Sequence, residues 1–256
     1  MKDIVVIIPV HKMDEKTPEL LKRAIKSVPE EIEIRISCAN GLSDEIKKEL
    51  GENPNIIYHE MNDKETTDFQ SLVNNAVGDS KWFSILEFDD EYTPIWFDNV
   101  KRYIDSYGDI SVMLPFEDLF DFNTNEYLGY GNDAPWAAAF SDELGYADMD
   151  SLKTYFDFYL TGGVFKTDDW KELGGLKKSM KITFWYEFML RCIHYGKKIF
   201  IIPKVGYNHY LGREDSLIEI YRNTVDEKEG EGYFNLARQE YFFKEDRNKT
   251  WKKDNE

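Results

Sequence analysis

The sequence predicts an α/β fold in which a mostly parallel sheet is flanked by helices. Strand-like and helix-like segments alternate through the first 116 residues, which is typical of a parallel sheet with helical crossovers. The chain has 256 residues, 42% hydrophobic and 15% aromatic, enough to fill the core of one large or two small domains. The run at 4–10 is apolar and β-branched, as in a strand buried on both faces.

Capping residues and periodicity place the elements of the first half. Thr17 and Pro18 begin a helix that has one apolar face and runs to about Val28. Ser43 begins a short second helix after a strand at 32–38. The alternation continues with strands at 55–60, 82–88 and 110–116 and with helices at 69–77 and 95–106.

The second half is less regular. From 116 to 160 the periodicity disappears, and twelve aromatic residues fall within 45 positions beside glycine and proline. A helix at 184–196 and a strand at 197–205 follow, and the charged tail at 213–256 is predicted to be partly helical. We therefore expect an aromatic-rich insertion and a helical C-terminal tail.

The acidic charge disfavours one class of partner. The net charge is -17, and binding of nucleic acid by phosphate neutralisation requires a clustered excess of Lys and Arg. Residues 116–160 contain ten acids and one base, a net charge of -9, so more than half of the excess lies there. A polyanionic partner would have to approach the most acidic part of the chain.

Three features predict a cytoplasmic protein with no membrane span. No segment approaches the roughly 18 uninterrupted apolar residues that a transmembrane helix needs. The N-terminal apolar run is too short for the core of a secretory signal peptide. Cys38 and Cys192 lie far apart in apolar segments, which is the pattern of buried thiols in a reducing compartment.

Carboxylates concentrate at the end of the strand at 82–88. Side chains alternate along a strand, so Glu87 and Asp89 would project to the same side, with Asp90 next to them. Ligands bind at the carboxyl ends of strands in open α/β sheets, and converging carboxylates suit Mg2+ or Mn2+, which can carry a diphosphate. The alternative is a solvated acidic turn, which is equally common.

Two further strand ends would meet the same crevice. The first strand ends in Pro9, Val10, His11 and Lys12, and the second is followed by Asn40, whose amide can read a base or a sugar edge. Each of these alone is more typical of a turn than of a site. Together with the acids they predict one ligand site at the edge of the sheet.

The order of these motifs resembles the family-two glycosyltransferases of the GT-A type. The match runs from about residue 3 to 216 and covers most of the chain. The matching positions are IVVIIPV, Asn40, Gly41, Ser43 and Asp44, the acids Glu87, Asp89 and Asp90 before Pro94, the pairs Gly162, Gly163 and Gly174, Gly175, then Arg191, Lys198 and Pro203.

The resemblance implies transfer of a sugar from a nucleotide diphosphate donor, usually UDP-linked, to an acceptor hydroxyl, with inversion and with Mn2+ or Mg2+. Asp89 takes the family's metal position, and His209 falls where relatives present a histidine to the metal; the alternative is a structural histidine. The donor-binding positions that it implies are Pro9, Val10, His11, Asn40, Asp68, Glu87 and Asp90.

The resemblance also divides the chain. Residues 1–212 would form the transferase domain, with a nucleotide-sugar half at 1–115 and an acceptor-side half at 116–212, before an extension at 213–256. Aromatic faces and acids suit sugar acceptors, although at least half of the aromatics are expected in the core. The acceptor-side candidates are Trp136, Gly162, Gly163 and Trp185. A glycan, a lipid-linked sugar, a protein or a modified base would serve as acceptor, with nucleic acid disfavoured by charge.

The general base is open. The family commonly has an aspartate six residues before Arg191, where this chain has Trp185. Glu187 is the preferred candidate; its alternative role is an ion pair with Arg191 one helical turn away. Asp168 or Asp169 is the next choice.

Two other functions stay open. A chain without a base would be a non-catalytic nucleotide-sugar or glycan-binding module. A nucleotidyltransferase would show a glycine-rich first loop, whereas this loop has no glycine. No cation follows Asp68 in the third helix, so the charge of a diphosphate would fall on the metal and on Lys12, Lys177, Lys178 or Arg213.

Overall fold

The computed structural model describes residues 3–62, 68–137 and 140–253, and the side chains up to residue 242. The strands are β1 (Ile4–Val10), β2 (Glu33–Cys38), β3 (Ile56–Glu60), β4 (Trp82–Ile85), β5 (Glu91–Tyr92), β6 (Ile110–Asp121), β7 (Tyr127–Gly131), β8 (Tyr146–Ala147), β9 (Val164–Lys166) and β10 (Lys198–Leu211). The helices are α1 (Thr17–Lys26), α2 (Ser43–Leu50), α3 (Phe69–Ala76), α4 (Trp96–Ser106), α5 (Met149–Thr154), α6 (Thr167–Leu173), α7 (Phe184–His194), α8 (Leu217–Thr224) and α9 (Glu227–Lys253).

In the described part of the chain, ten strands form one sheet in the order β3-β2-β1-β4-β9-β6-β10-β5, with β7 on β6 and β8 on β10. The strands β3, β2, β1, β4, β6 and β10 run in the same direction. The α/β fold with a mostly parallel sheet is therefore confirmed.

The central strand β1 separates two hydrophobic clusters. All seven of its residues are buried, as its apolar run predicts. Because side chains alternate, Val5 and Ile7 pack in the cluster on one face, while Val6 and Ile8 pack in the cluster on the other. Both faces of the sheet are thus covered, and the edge where the parallel strands end is left to carry a site.

The second half differs from its sequence prediction because β6 and β10 continue further than their apolar runs. They pair in parallel as far as Leu211 opposite Asp121, and β7 adds an antiparallel partner to β6. Local hydrophobicity does not indicate these outer segments because their hydrogen bonds come from distant strands. The expected division at 115/116 falls within β6, so the two halves share one sheet.

The tail packs against the domain. Ala237, Tyr241 and Phe242 of α9 are buried in the same cluster as α7. No helix in the described ranges is long and apolar enough to cross a bilayer. Cys38 and Cys192 are both buried, as predicted.

One glycine tests the packing of α4 on the sheet. A Cβ at Gly206 of β10 would overlap the fully buried indole of Trp96, whereas a Cβ at Gly108 would meet open space. We expect Gly206→Ala to lower the free energy of unfolding by about 1–3 kcal/mol, because a close-packed core does not yield to an added carbon. Gly108→Ala is the control and should change it by less than about 0.5 kcal/mol in the same urea titration. Equal effects of the two changes would contradict this packing.

Candidate active site

A cavity of about 840 Å3 is lined by residues that follow the carboxyl ends of β1 and β4. Its polar side consists of the segment after β4 and the end of β10. Its apolar side includes Phe69, Phe156, Phe184, Trp185, Leu217 and Phe234. The size is in the range of small-molecule sites, and the last two of these residues come from α8 and α9, so the C-terminal tail forms part of the wall.

Three ligand-type side chains meet on the polar side: Glu87, Asp90 and His209. One oxygen or nitrogen atom from each lies within 4.8 Å of the others; we call them the acid–histidine cluster. Asp90 Oδ1 accepts a hydrogen bond of 2.8 Å from the Tyr210 backbone. His209 Nδ1 lies 2.9 Å from Oε2 of the fully buried Glu117, which leaves the other ring nitrogen available to a ligand.

The electrostatics of the cluster favour a positive charge. Burial, together with the neighbouring Asp89, raises the pKa of Glu87 to about 7, and burial raises the pKa of Asp90 well above its usual range. Burial disfavours the charged form of His209, but the carboxylates of Asp90 and Glu117 outweigh it and raise the pKa of His209 to about 10. A nearby cation stabilises the charged form of such buried carboxyl groups, so this arrangement suits a metal site.

The cluster fits a divalent cation. Asp90 Oδ2 is buried without a hydrogen-bond partner in the described residues, although buried carboxylate oxygens are normally satisfied. Glu117 holds the imidazole of His209 as outer carboxylates do in metal centres. Two carboxylates with one imidazole suit Mn2+ better than Mg2+.

Asp89 has a different partner. Its Oδ2 accepts a hydrogen bond of 2.7 Å from Arg213 Nε, and both side chains are almost completely buried. Arg213 also contacts Asp215 at 3.0 Å and lies over the Phe88 ring. Asp90, rather than Asp89, therefore joins Glu87 in the acid–histidine cluster.

Two of the other predicted donor positions line the cavity, Pro9 and His11. Burial, followed by the positive charge of Arg213, lowers the pKa of His11 to about 4, so its imidazole is neutral at pH 7. The ring lies 5.7 Å from that of Phe88, centroid to centroid, and its Nε2 is buried without a hydrogen-bond partner in the described ranges. A neutral imidazole with an unsatisfied nitrogen can hydrogen-bond to a nucleobase.

The remaining predicted donor side chains are not part of the cavity lining. Val10 packs in the core. Asn40 donates a hydrogen bond of 2.9 Å to the Met61 carbonyl and so joins the ends of β2 and β3. Asp68 is the N-cap of α3 and accepts 2.8 Å hydrogen bonds from Ser71. Asn40 and Asp68 have structural partners because the turns after β2 and before α3 need them.

Of the two tryptophans predicted on the acceptor side, one lines the cavity and the other does not. Trp185 lines the cavity, whereas Trp136 donates a hydrogen bond of 2.9 Å to the Ile201 carbonyl at the far side of the sheet. Gly162 and Gly163 form a tight turn beside the cavity. Gly162 has φ +75°, and a Cβ there would lie 2.5 Å from the Tyr207 ring. Gly162 therefore permits a close approach of the backbone to Tyr207, and Gly163 permits one to Leu114.

Glu187, the predicted base, is fully buried and is not among the residues that line the cavity. Its carboxylate accepts hydrogen bonds of 3.0 and 2.7 Å from Arg191, and it lies 2.8 Å from Lys177 Nζ and 2.7 Å from Tyr241 Oη. The alternative of an ion pair one turn away is what the structure contains. This carboxylate therefore joins α7 to α9 and lies outside the cavity lining, a geometry that favours the ion pair, while its role as the base stays a prediction.

The next choices for the base are also outside the cavity lining. Asp169 lies 2.7 Å from Lys197 Nζ, and Asp168 is an exposed residue in the first turn of α6. Lys177 contacts Glu187 and Glu240 and is not among the residues that line the cavity. Among the cations considered, Arg213 lines the cavity.

Sequence reasoning missed Glu117 and Asp157. Glu117 follows the apolar run at 110–116, so the strand-end rule that indicates Glu87 applies to it equally. Asp157 lines the cavity from the aperiodic stretch, where no local pattern marks it.

No known family profile matches the sequence, and no curated protein matches it either. Solved structures of S. aureus TarS are similar in fold. The complex of TarS residues 1–349 with UDP-GlcNAc has a TM-score of 0.61 and 11% identity over 94% of this chain and 73% of that chain. The complex with UDP has a TM-score of 0.59 and 16% identity over 93% and 72%.

A further TarS structure has a TM-score of 0.60 and 14% identity over 94% of this chain, which spans 43% of that longer chain. At these identities the likeness is one of fold, and it confirms the predicted GT-A type of α/β architecture.

The buried carboxylate of Glu187 makes a stability prediction. Glu187→Gln would leave the charges of Arg191 and Lys177 without their buried partner, so we expect the free energy of unfolding to fall by about 3–5 kcal/mol. Glu172→Gln is the control: Glu172 is exposed and its partner Lys197 keeps Asp169, so the change should cost less than about 1 kcal/mol. Urea denaturation followed by circular dichroism measures both. If Glu187→Gln were as stable as the control, the network would not be what anchors α9.

Proposed function

We propose that the protein is a glycosyltransferase that moves a sugar from a UDP-linked donor to an acceptor hydroxyl, with inversion and with Mn2+ or Mg2+. The observation that carries the proposal is the acid–histidine cluster in a cavity at the strand ends. The shared fold with a protein solved in complex with UDP-GlcNAc supports the choice of donor.

Glu87, Asp90 and His209 would hold the cation, and Asp89 is a further candidate ligand through its buried Oδ1, which has no hydrogen-bond partner in the part of the chain that is described. A divalent cation bound there would neutralise the leaving diphosphate. Glu117 fixes the orientation of the His209 ring towards the cluster. Among the two metals, Mn2+ is favoured because it accepts imidazole nitrogen more readily.

The residues around the cluster would bind the rest of the donor. Pro9 and the neutral imidazole of His11 line the side that would receive the nucleobase. Arg213 would supply positive charge to the diphosphate, and Lys12 lies next to it through their common partner Asp215.

The apolar side would take the acceptor. Phe156 and Trp185 offer ring faces to a pyranose, while Asp157 offers oxygens to its hydroxyl groups. The described lining on this side carries more acids than bases, which favours a neutral or cationic acceptor over a nucleic acid.

A non-catalytic nucleotide-sugar or glycan-binding module is the second candidate function. The observation that favours it is the first turn of α7, where Trp185 faces the cavity and Glu187 is enclosed by its ion pairs. A module of this kind would bind UDP with Mn2+ but would not release UDP from any UDP-sugar.

Release of UDP separates the two functions. We expect the protein to release UDP from at least one of a panel of UDP-sugars in the presence of Mn2+ and to stop when EDTA is added, because the leaving diphosphate loses its counter-charge. A coupled assay measures UDP, and calorimetry measures UDP binding in parallel. Binding of UDP without release from any donor would support the module and exclude the transferase.

Substitution of the outer carboxylate tests the metal site. Glu117→Gln should weaken Mn2+ binding by about 10–100-fold, since the imidazole of His209 loses the group that orients it. His209→Ala should weaken it at least as much, because a ligand itself is removed. Glu126→Gln, at an exposed acid of the same acidic segment, is the charge-matched control. Calorimetric titration with MnCl2 measures all three, and unchanged affinity in the first two would place the cation elsewhere.

A further inference from the structure

The acids of the cavity can be sorted by their partners. In the described part of the chain, the carboxyl side chains that line it are Glu87, Asp89, Asp90, Asp157, Glu219 and Glu231. Glu87 and Asp90 belong to the acid–histidine cluster. Asp89 is paired with Arg213, and Glu219 with Arg222. Asp157 and Glu231 have no ion pair or hydrogen bond among the described side chains, and of the two only Asp157 lies beside residues that contact the cluster.

Asp157 lines the cavity and lies in the sequence between a residue that contacts the acid–histidine cluster and one on the apolar side. Two residues further on, the Tyr159 ring meets the His209 ring edge to face, with centroids 4.8 Å apart. One residue before, the Phe156 ring packs against Phe234 of α9, with centroids 4.8 Å apart. The chain thus places this carboxylate where a donor held at the cluster and an acceptor on the aromatic side would meet. Glu231 lies on α9 and has no corresponding link to the cluster.

The segment that carries Asp157 is held firmly. The buried Asn132 accepts a hydrogen bond of 2.9 Å from the Tyr159 backbone N–H and donates one of 2.8 Å to its carbonyl. The same amide donates to the Pro115 carbonyl at 3.1 Å. Phe158 is buried on the other side of the segment. A group that must meet a substrate atom within a fraction of an ångström needs such a fixed backbone.

We propose that Asp157 is the general base of the reaction, an inference that rests on the transferase function proposed above. The acceptor oxygen forms a bond to the anomeric carbon of the donor sugar, and its proton passes to the Asp157 carboxylate. The bond between that carbon and the diphosphate oxygen breaks, and its electron pair leaves with the nucleoside diphosphate. No further reactant is required.

Two isosteric variants test the assignment. Asp157→Asn and Glu231→Gln each remove one negative charge from the same cavity, and UDP release from UDP-GlcNAc with Mn2+ is the probe, with water as acceptor. We expect Asp157→Asn to slow release by about 100–10,000-fold, because removal of a general base costs that much. Glu231→Gln should leave the rate close to that of the wild type. UDP affinity, measured by calorimetry, should be unchanged in both.

Azide distinguishes a base from a structural residue. Azide is already an anion, so it attacks the anomeric carbon without losing a proton, forming a carbon–nitrogen bond as the nucleoside diphosphate leaves. Sodium azide should therefore restore UDP release to Asp157→Ala and yield a glycosyl azide that NMR and mass spectrometry detect. The same concentration of sodium chloride is the control and should restore nothing.

Three results would overturn the role of Asp157 alone: a wild-type rate in Asp157→Asn, an equal loss in Glu231→Gln, or a defect in Asp157→Ala that azide does not relieve. A wild-type protein that binds UDP and releases none from UDP-GlcNAc or the rest of the panel would overturn the transferase function itself.

Discussion

The hydrogen bond between Glu117 and His209 is the interaction on which the candidate site depends. It joins β6 to β10, which pair in parallel through this region. Glu87, Asp90 and Glu117 lie around the imidazole there, and their carboxylates raise the pKa of His209, which favours a positive charge on the ring. The need for charge extends to Asp89, which Arg213 neutralises from the loop directly after β10.

The ion pair between Arg213 and Asp89 lies where the C-terminal tail begins. Arg213 is held at Asp89 and lines the cavity, and residues of α8 and α9, which follow it in the chain, form part of the cavity wall. The buried carboxylate of Glu187 then accepts a hydrogen bond from Tyr241 and so holds α9 against α7. The C-terminal tail, which looks like a charged extension in the sequence, is therefore a component of the site.

Much of the first half was predictable because its signals are local. The buried run of β1, the alternation of strands and helices, and the acids after β4 follow from hydrophobic periodicity and from the rule that ligands meet strand ends. Glu187 shows the limit of such signals. A glutamate one turn before an arginine is compatible with a base and with an ion pair, and only its burial beside Lys177 and Tyr241 decides between them.

The sequence by itself determined the α/β architecture and the set of acids at the edge of the sheet, because short-range periodicity encodes both. Tertiary structure decided which acid has which partner: Asp90 faces His209, while Asp89 faces Arg213, 124 positions further along the chain. It also decided the place of Asp157, which lies in a stretch with no periodicity and is positioned by Asn132 through the backbone of Tyr159. Such contacts join residues far apart in sequence, so no local pattern can carry them.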